Sequence, residues 1–158
     1  MAAPAPRRRK STLDASMPAN RLVAGTSFEV TLHGTTTSSA AGVGIIRVRY
    51  GTAATVADGV MEAFTLAAAP TTGTAIPFTI KLIVTVRTTG GAATADGGLT
   101  LVNSGVTGLS ATATQVVRGV NTTINTAIAA TFFTVSYISG NAGTTTTFQD
   151  AVITILNK

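Results

Sequence analysis

Eleven consecutive residues, Phe78 to Thr88, alternate so regularly that they leave the backbone little choice. Phe78, Ile80, Leu82, Val84 and Val86 fall on one side, and Thr79, Lys81, Thr85 and Arg87 on the other, with Ile83 the exception. An apolar period of two, carried by β-branched and aromatic residues, marks a strand buried on one face. At ~3.3 Å per residue the run spans roughly 36 Å, long for a single strand. The same period recurs in Phe28 to His33, where Phe28, Val30 and Leu32 oppose Glu29, Thr31 and His33. It recurs again in Ile45 to Tyr50, where Ile46, Val48 and Tyr50 oppose Arg47 and Arg49. Leu99 to Val102, Gln115 to Val117, Thr131 to Ile138 and Phe148 to Leu156 are further strand candidates.

Turn chemistry separates these runs. Asp58-Gly59, Gly90-Gly91, Asp96-Gly97-Gly98, Asn103-Ser104-Gly105 and Gly140-Asn141-Ala142-Gly143 all reach positive φ cheaply. Thr-rich stretches at 35–37 and 144–147 suit extended edges better than helices. Only Ala53 to Ala69 and Thr122 to Ala130 could form a short helix, and Gly59 and Thr65 weaken the first. The pattern predicts an all-β chain: one β-sandwich or jelly roll of about seven to nine antiparallel strands. With 158 residues there is room for a single core.

Charge is concentrated at one end. Arg7, Arg8, Arg9 and Lys10 are four of the 11 basic residues, and from Ser11 onward seven basic side chains face six acidic ones. The pI near 10.5 therefore belongs to an extended basic N-terminal arm, residues 1–20, and the sandwich domain, 21–158, is close to neutral. Pro4 and Pro6 hold the start of the arm extended, and small alanines give it nothing to bury. Such an arm seeks anions, either phosphates or an acidic protein surface. No run approaches the ~20 apolar residues of a spanning helix, and no apolar segment follows the basic residues as a secretory signal requires. We expect a chain made in the cytoplasm, not exported, with no membrane partner.

Few residues could carry catalysis. Cysteine and tryptophan are absent, and there is one histidine, which excludes a disulfide scaffold, a thiolate metal site and a cysteine nucleophile. His33 lies on a polar strand face, and no serine sits in the G-x-S-x-G elbow that would make it a catalytic base. Asp58 and Asp96 precede glycines, where an aspartate commonly bonds its own backbone. Asp58, Asp96 and Asp150 have no ligand spacing that gathers them around a metal. Gly42-Val43-Gly44 lacks the helix start and lysine of a phosphate loop. Asn121-Thr122-Thr123 fits the glycosylation pattern, which matters only in a secreted chain. We expect no enzyme, no cofactor and no metal. Arg47 and Arg49 share a face and are read as a possible basic patch, or more plainly as solvated charges. Phe64, Phe78, Phe132, Phe133 and Phe148 are the candidate core and interface anchors. Phe132 and Phe133 cannot both point inward on a strand, so one of them is a candidate interface residue.

Gly73 to Gly90 (GTAIPFTIKLIVTVRTTG), Thr144 to Leu156 (TTTTFQDAVITIL) and Arg47 to Asp58 (RVRYGTAATVAD) resemble β-sandwich domains of tailed-bacteriophage virion proteins. These include capsid decoration (cement) proteins and head or tail appendages. The resemblance implies a homotrimer, and the leading reading is a decoration protein on the capsid surface of a virion, partnered by the major capsid protein or other virion proteins. The basic arms, which the family does not share throughout, would reach along acidic surfaces of neighbouring shell subunits. A second reading is a shell-forming jelly-roll capsid protein of a small virus whose arm binds nucleic acid. Four basic residues per arm are a modest number for packaging a genome. A third is an appendage domain binding host glycans, for which Tyr50 and Tyr137 would have to share an exposed surface.

Overall fold

The computed structural model describes residues 16–17, 22–53, 55, 57–69, 71–104, 108–121, 123, 125–127, 131–140 and 143–157. They form an all-β sandwich with no helix among the described residues. The strands are β1 (Ser16–Met17), β2 (Ser27–Ser38), β3 (Gly44–Gly51), β4 (Gly59–Thr65) and β5 (Thr72–Val86), then β6 (Ala95–Asn103), β7 (Thr114–Arg118), β8 (Val120–Asn121), β9 (Thr131–Ser139) and β10 (Thr144–Asn157). Eight of them have five residues or more; β1 and β8 have two each. One sheet has the order β1-β9-β3-β4-β8 and the other β10-β2-β5-β6-β7. Every pairing is antiparallel.

The long alternating run becomes β5, and its apolar side does what the period demands. Phe78, Ile80, Leu82, Val84 and Val86 are buried. They share the interior with Phe28, Val30 and Leu32 of β2, Leu99 and Leu101 of β6, and Ile46, Val48, Met61 and Phe64 from the facing sheet. One cluster therefore joins the two sheets, as sandwich packing requires. Ile83 is on the outer face, opposite Glu29 on β2 and Gly98 on β6.

Two glycines shape this interior. Gly34 on β2 lies in register between Phe148 on β10 and Phe78 on β5. The two rings meet edge to face, with centroids 5.9 Å apart and planes at 89°. A Cβ on Gly34 would come within 2.7 Å of Phe78 Cζ, so the missing side chain is what lets the rings close. Gly90 takes φ +108 in the β5–β6 turn. Its N–H donates to Thr126 Oγ1 at 2.8 Å, and the Thr126 N–H donates to its carbonyl at 2.9 Å.

Several sequence expectations change. The 53–69 segment contains β4, because Phe64 and Glu62 must face Ile46 and Val48 across the β3–β4 ladder. The described part of 122–130 contains no helix. Asp96-Gly97-Gly98 is not a turn. It lies within β6, where Phe64 presses against the bare backbone of Gly97; a Cβ there would sit 3.1 Å from Phe64 Cζ. Thr35 to Thr37 belong to an interior strand flanked by β10 and β5, whereas Thr144 to Thr147 do lie on an edge.

Candidate interaction surface

The arm residues Arg7, Arg8, Arg9 and Lys10 lie outside the described residues. The side chains of Phe132 and Phe133 are also outside them; their backbones pair with Gly51 and Tyr50 on β3. Arg47 and Arg49 do not form an exposed basic patch. Arg49 is only 6% exposed, donating through a terminal nitrogen to the Asp58 carbonyl at 2.7 Å and through Nε to Ser136 Oγ at 3.3 Å. Burial, then the neighbouring Arg47 charge, lowers its pKa, and Asp58 opposes the shift. Arg47 is half-buried, and its Nε has no hydrogen-bond partner among the described residues.

Asp58 behaves as an aspartate before a turn glycine should. Its carboxylate accepts the N–H groups of Ala53 at 3.0 Å and Thr55 at 3.1 Å, which folds the β3–β4 loop back over Arg49. Asp96 instead serves as an ion-pair hub, accepting from Arg87 at 3.1 Å and Arg118 at 3.3 Å. The Arg87 hydrogen bond is the main reason its pKa is lowered. His33 bonds Thr79 across the strands, Nδ1 to Oγ1 at 3.0 Å, and stands opposite Asp150. Tyr50 is buried, and Tyr137 is half-buried against the core. They do not make a displayed aromatic platform. Burial also pushes the Tyr137 hydroxyl up, a shift that Ser139 offsets in part.

Glu62 was not singled out in the sequence. It lies on the inner face of β4, fully buried, with neither carboxylate oxygen hydrogen-bonded among the described residues. Gly119 lies directly over Oε2, closely enough that any Cβ there would collide with it. Desolvation, with a further contribution from Asp96, raises the pKa from 4.5 to about 7, and Arg118 opposes the shift. The available signal was its position two residues before Phe64 in an alternating strand.

The outer faces of the two sheets differ. On the first sheet, Arg49 and Thr134 are buried, Arg49 against the β3–β4 loop. On the second sheet, the cross-strand rows Val152–Thr31–Lys81–Thr100–Val116 and Asp150–His33–Thr79–Val102–Thr114 run openly across all five strands. Of the nine exposed large aliphatic side chains among the described residues, six belong to this sheet: Ile83, Val102, Val116 and Val152, with Leu156 and Ile155 on the edge strand β10, Ile155 in register with the inward Phe28. Its charges largely cancel in place, since Lys81 pairs with Glu29 at 2.9 Å and Arg87 and Arg118 hold Asp96. A broad sheet of threonine and valine with internally paired charges is suited to contact with another protein. Beside it, Gly97 and Gly98 open a hollow bordered by Ile83, Thr85, Asp96 and Arg118.

No group of three or more metal-ligating side chains occurs among the described residues, and no described helix is long and apolar enough to cross a membrane. No family model, curated protein or solved structure matches the chain.

Proposed function

We propose that this chain is a virion structural protein, a phage capsid decoration protein that binds the assembled shell as a homo-oligomer. The observation that carries the reading is the open second sheet, where exposed aliphatic residues gather around internally paired charges. Two of the segments that resemble phage virion sandwiches, Gly73–Gly90 and Thr144–Leu156, supply β5 and β10, both in this sheet. Three copies per assembly is the number the resemblance implies.

The mechanism is linkage. A subunit that binds only the assembled lattice stabilises it by mass action over the ruptured shell. Several arms per oligomer, each carrying Arg7, Arg8, Arg9 and Lys10, add avidity without one large contact. Their attachment weakens as salt rises.

Light scattering after size exclusion, with absorbance recorded at 260 nm, tests the reading. The expected result is a nucleic-acid-free particle near 48 kDa, about three times 15.9 kDa, or a small multiple of it. A megadalton particle carrying nucleic acid would overturn the decoration reading in favour of a shell-forming subunit.

A further inference from the structure

We infer that β10 is a homotypic contact: it pairs antiparallel with β10 of a second copy across a twofold axis, joining two five-stranded sheets into one. This contact does not depend on the decoration reading, nor on any threefold contact made elsewhere.

The sandwich has four sheet edges, β1, β8, β7 and β10. Soluble sheets guard their edges by keeping them short or by placing lysine, proline or strong bulges on them. β1 and β8 have two residues each, and β7 has five and ends in Arg118. β10 has fourteen, about 46 Å at ~3.3 Å per residue. It contains no lysine, arginine, proline or glycine, and Asp150 is its one charge. Among the described residues, three edges are guarded by being short, and β10 is by far the longest, interrupted only by the register shifts at Phe148/Asp150 and Ile155/Asn157.

The side chains of β10 are left half covered in the same way. Phe148, Ala151 and Ile153 pack against the core from one side and are only partly buried. Val152, Ile155 and Leu156 are 51%, 41% and 52% exposed. A further strand alongside would supply the missing neighbour to both rows and pair the backbone groups that β2 leaves unpaired; the Ala151 N–H already donates to Asp150 Oδ1 at 2.7 Å.

The occupant that fits is a second β10. A twofold axis brings together two edges of identical length and chemistry. Register shifts at Phe148/Asp150 and Ile155/Asn157 divide β10 into two regular stretches, Thr144–Phe148 and Asp150–Ile155, and the exposed aliphatic residues begin in the second. Residues directly opposite in a continuous sheet share a face, so an axis centred on the second stretch falls on Val152 or Ile153. The two Asp150 carboxylates then lie roughly 13–20 Å apart along the strand, beyond the Debye length of ~8 Å at physiological salt. A parallel, in-register neighbour would instead stack Asp150 on Asp150 at about 4.8 Å, which is unfavourable. The charge on β10 thus selects a closed pair over an open stack.

The test compares the full-length protein with Val152→Lys/Leu156→Lys and with Val43→Lys, by light scattering at several concentrations. Val43 is 44% exposed and lies just before β3 of the first sheet, away from the open second sheet. The paired lysines halve the particle mass, from about 32 to 16 kDa, or from about 95 to 48 kDa if a threefold contact also exists. Val43→Lys leaves the mass unchanged, and thermal melts verify that each variant folds. Val152→Lys alone, the milder change, weakens the pair at least tenfold. A wild-type particle at 16 or 48 kDa overturns the inference, as does a mass that the paired lysines leave unaltered. A closed shell that still assembles with both lysines overturns it too. Nucleic acid in a megadalton wild-type particle bears on the decoration reading alone.

Discussion

Replacing Glu62 with glutamine should raise the stability of this protein, and the gain should depend on pH. Glu62 is fully buried and its oxygens lack partners among the described residues, so ionising it in the folded state is costly. Its pKa rises from 4.5 to about 7 on folding. The folded state therefore holds a proton that the unfolded chain has lost between those two values, and stability falls as pH rises through them. At about 1.4 kcal/mol per unit, the upper limit of the loss is roughly 3.4 kcal/mol. Asp96 and Arg118 close by are in reach of water, and screening reduces this to about 1.5–3 kcal/mol. Glutamine keeps the shape and never ionises. Glu62→Gln should match the wild type near pH 4 and exceed it by about 1.5–3 kcal/mol at pH 8, roughly 3–10 °C in Tm for a domain of this size. Urea unfolding of both proteins at pH 4, 5, 6, 7 and 8 measures the difference. Contributions from groups that do not interact with Glu62 cancel in that comparison, whereas its coupling to Asp96 and Arg118 is part of the measured difference. A difference that stays constant with pH would refute the reasoning.

Gly34→Ala should destabilise the protein by about 1–3 kcal/mol, because the new Cβ forces Phe78 and Phe148 out of their edge-to-face contact; denaturant unfolding reads the loss. Asp58→Ala should cost about 1–3 kcal/mol, since it strips the acceptor from the Ala53 and Thr55 N–H groups. Proteolysis should then cut the β3–β4 loop faster. Asn103→Ala should cost a similar amount: Asn103 accepts from the Leu109 N–H and donates to the Thr112 carbonyl, holding Leu109 in the core. Changing Arg7, Arg8, Arg9 and Lys10 together to alanine should leave Tm within about 1 °C, because their proposed role is in attachment rather than in the sandwich core. The same change should flatten the salt dependence of binding to an anionic matrix.

The strands were legible wherever a face alternates and a turn residue ends the run. β5 is the clearest case, with its period of two unbroken except at Ile83, a residue that turns out to lie on the outer face beside Glu29 and Gly98. Asp96-Gly97-Gly98 misled because glycine has two uses. There it makes space for Phe64 inside a strand, and local sequence cannot distinguish that from a turn. β4 was hidden for another reason: the alanines of 53–69 left a short helix open, even against Gly59 and Thr65, while Phe64 answers to Ile46 on the neighbouring strand. Arg47 and Arg49 read as solvated because alternation identifies a face without saying what lies over it; the Asp58 loop covers Arg49. The bare edge at β10 was the least legible feature. Residues 144–156 could be read as a strand, but strand order makes β10 an edge, and that order is set by the long-range pairing of β2 with both β5 and β10.

The account rests on a subunit that associates through an exposed sheet, with β10 as its most open edge. Amide hydrogen exchange on the full-length protein reads this directly, by comparing peptides from Thr144–Asn157 with peptides from the other edge strand, Thr114–Arg118. The account predicts that β10 amides are protected as strongly as those of interior β2, that β7 amides exchange quickly, and that Val152→Lys/Leu156→Lys abolishes the protection of β10 alone. Exchange of wild-type β10 as fast as β7, at concentrations where the protein is oligomeric, would contradict it.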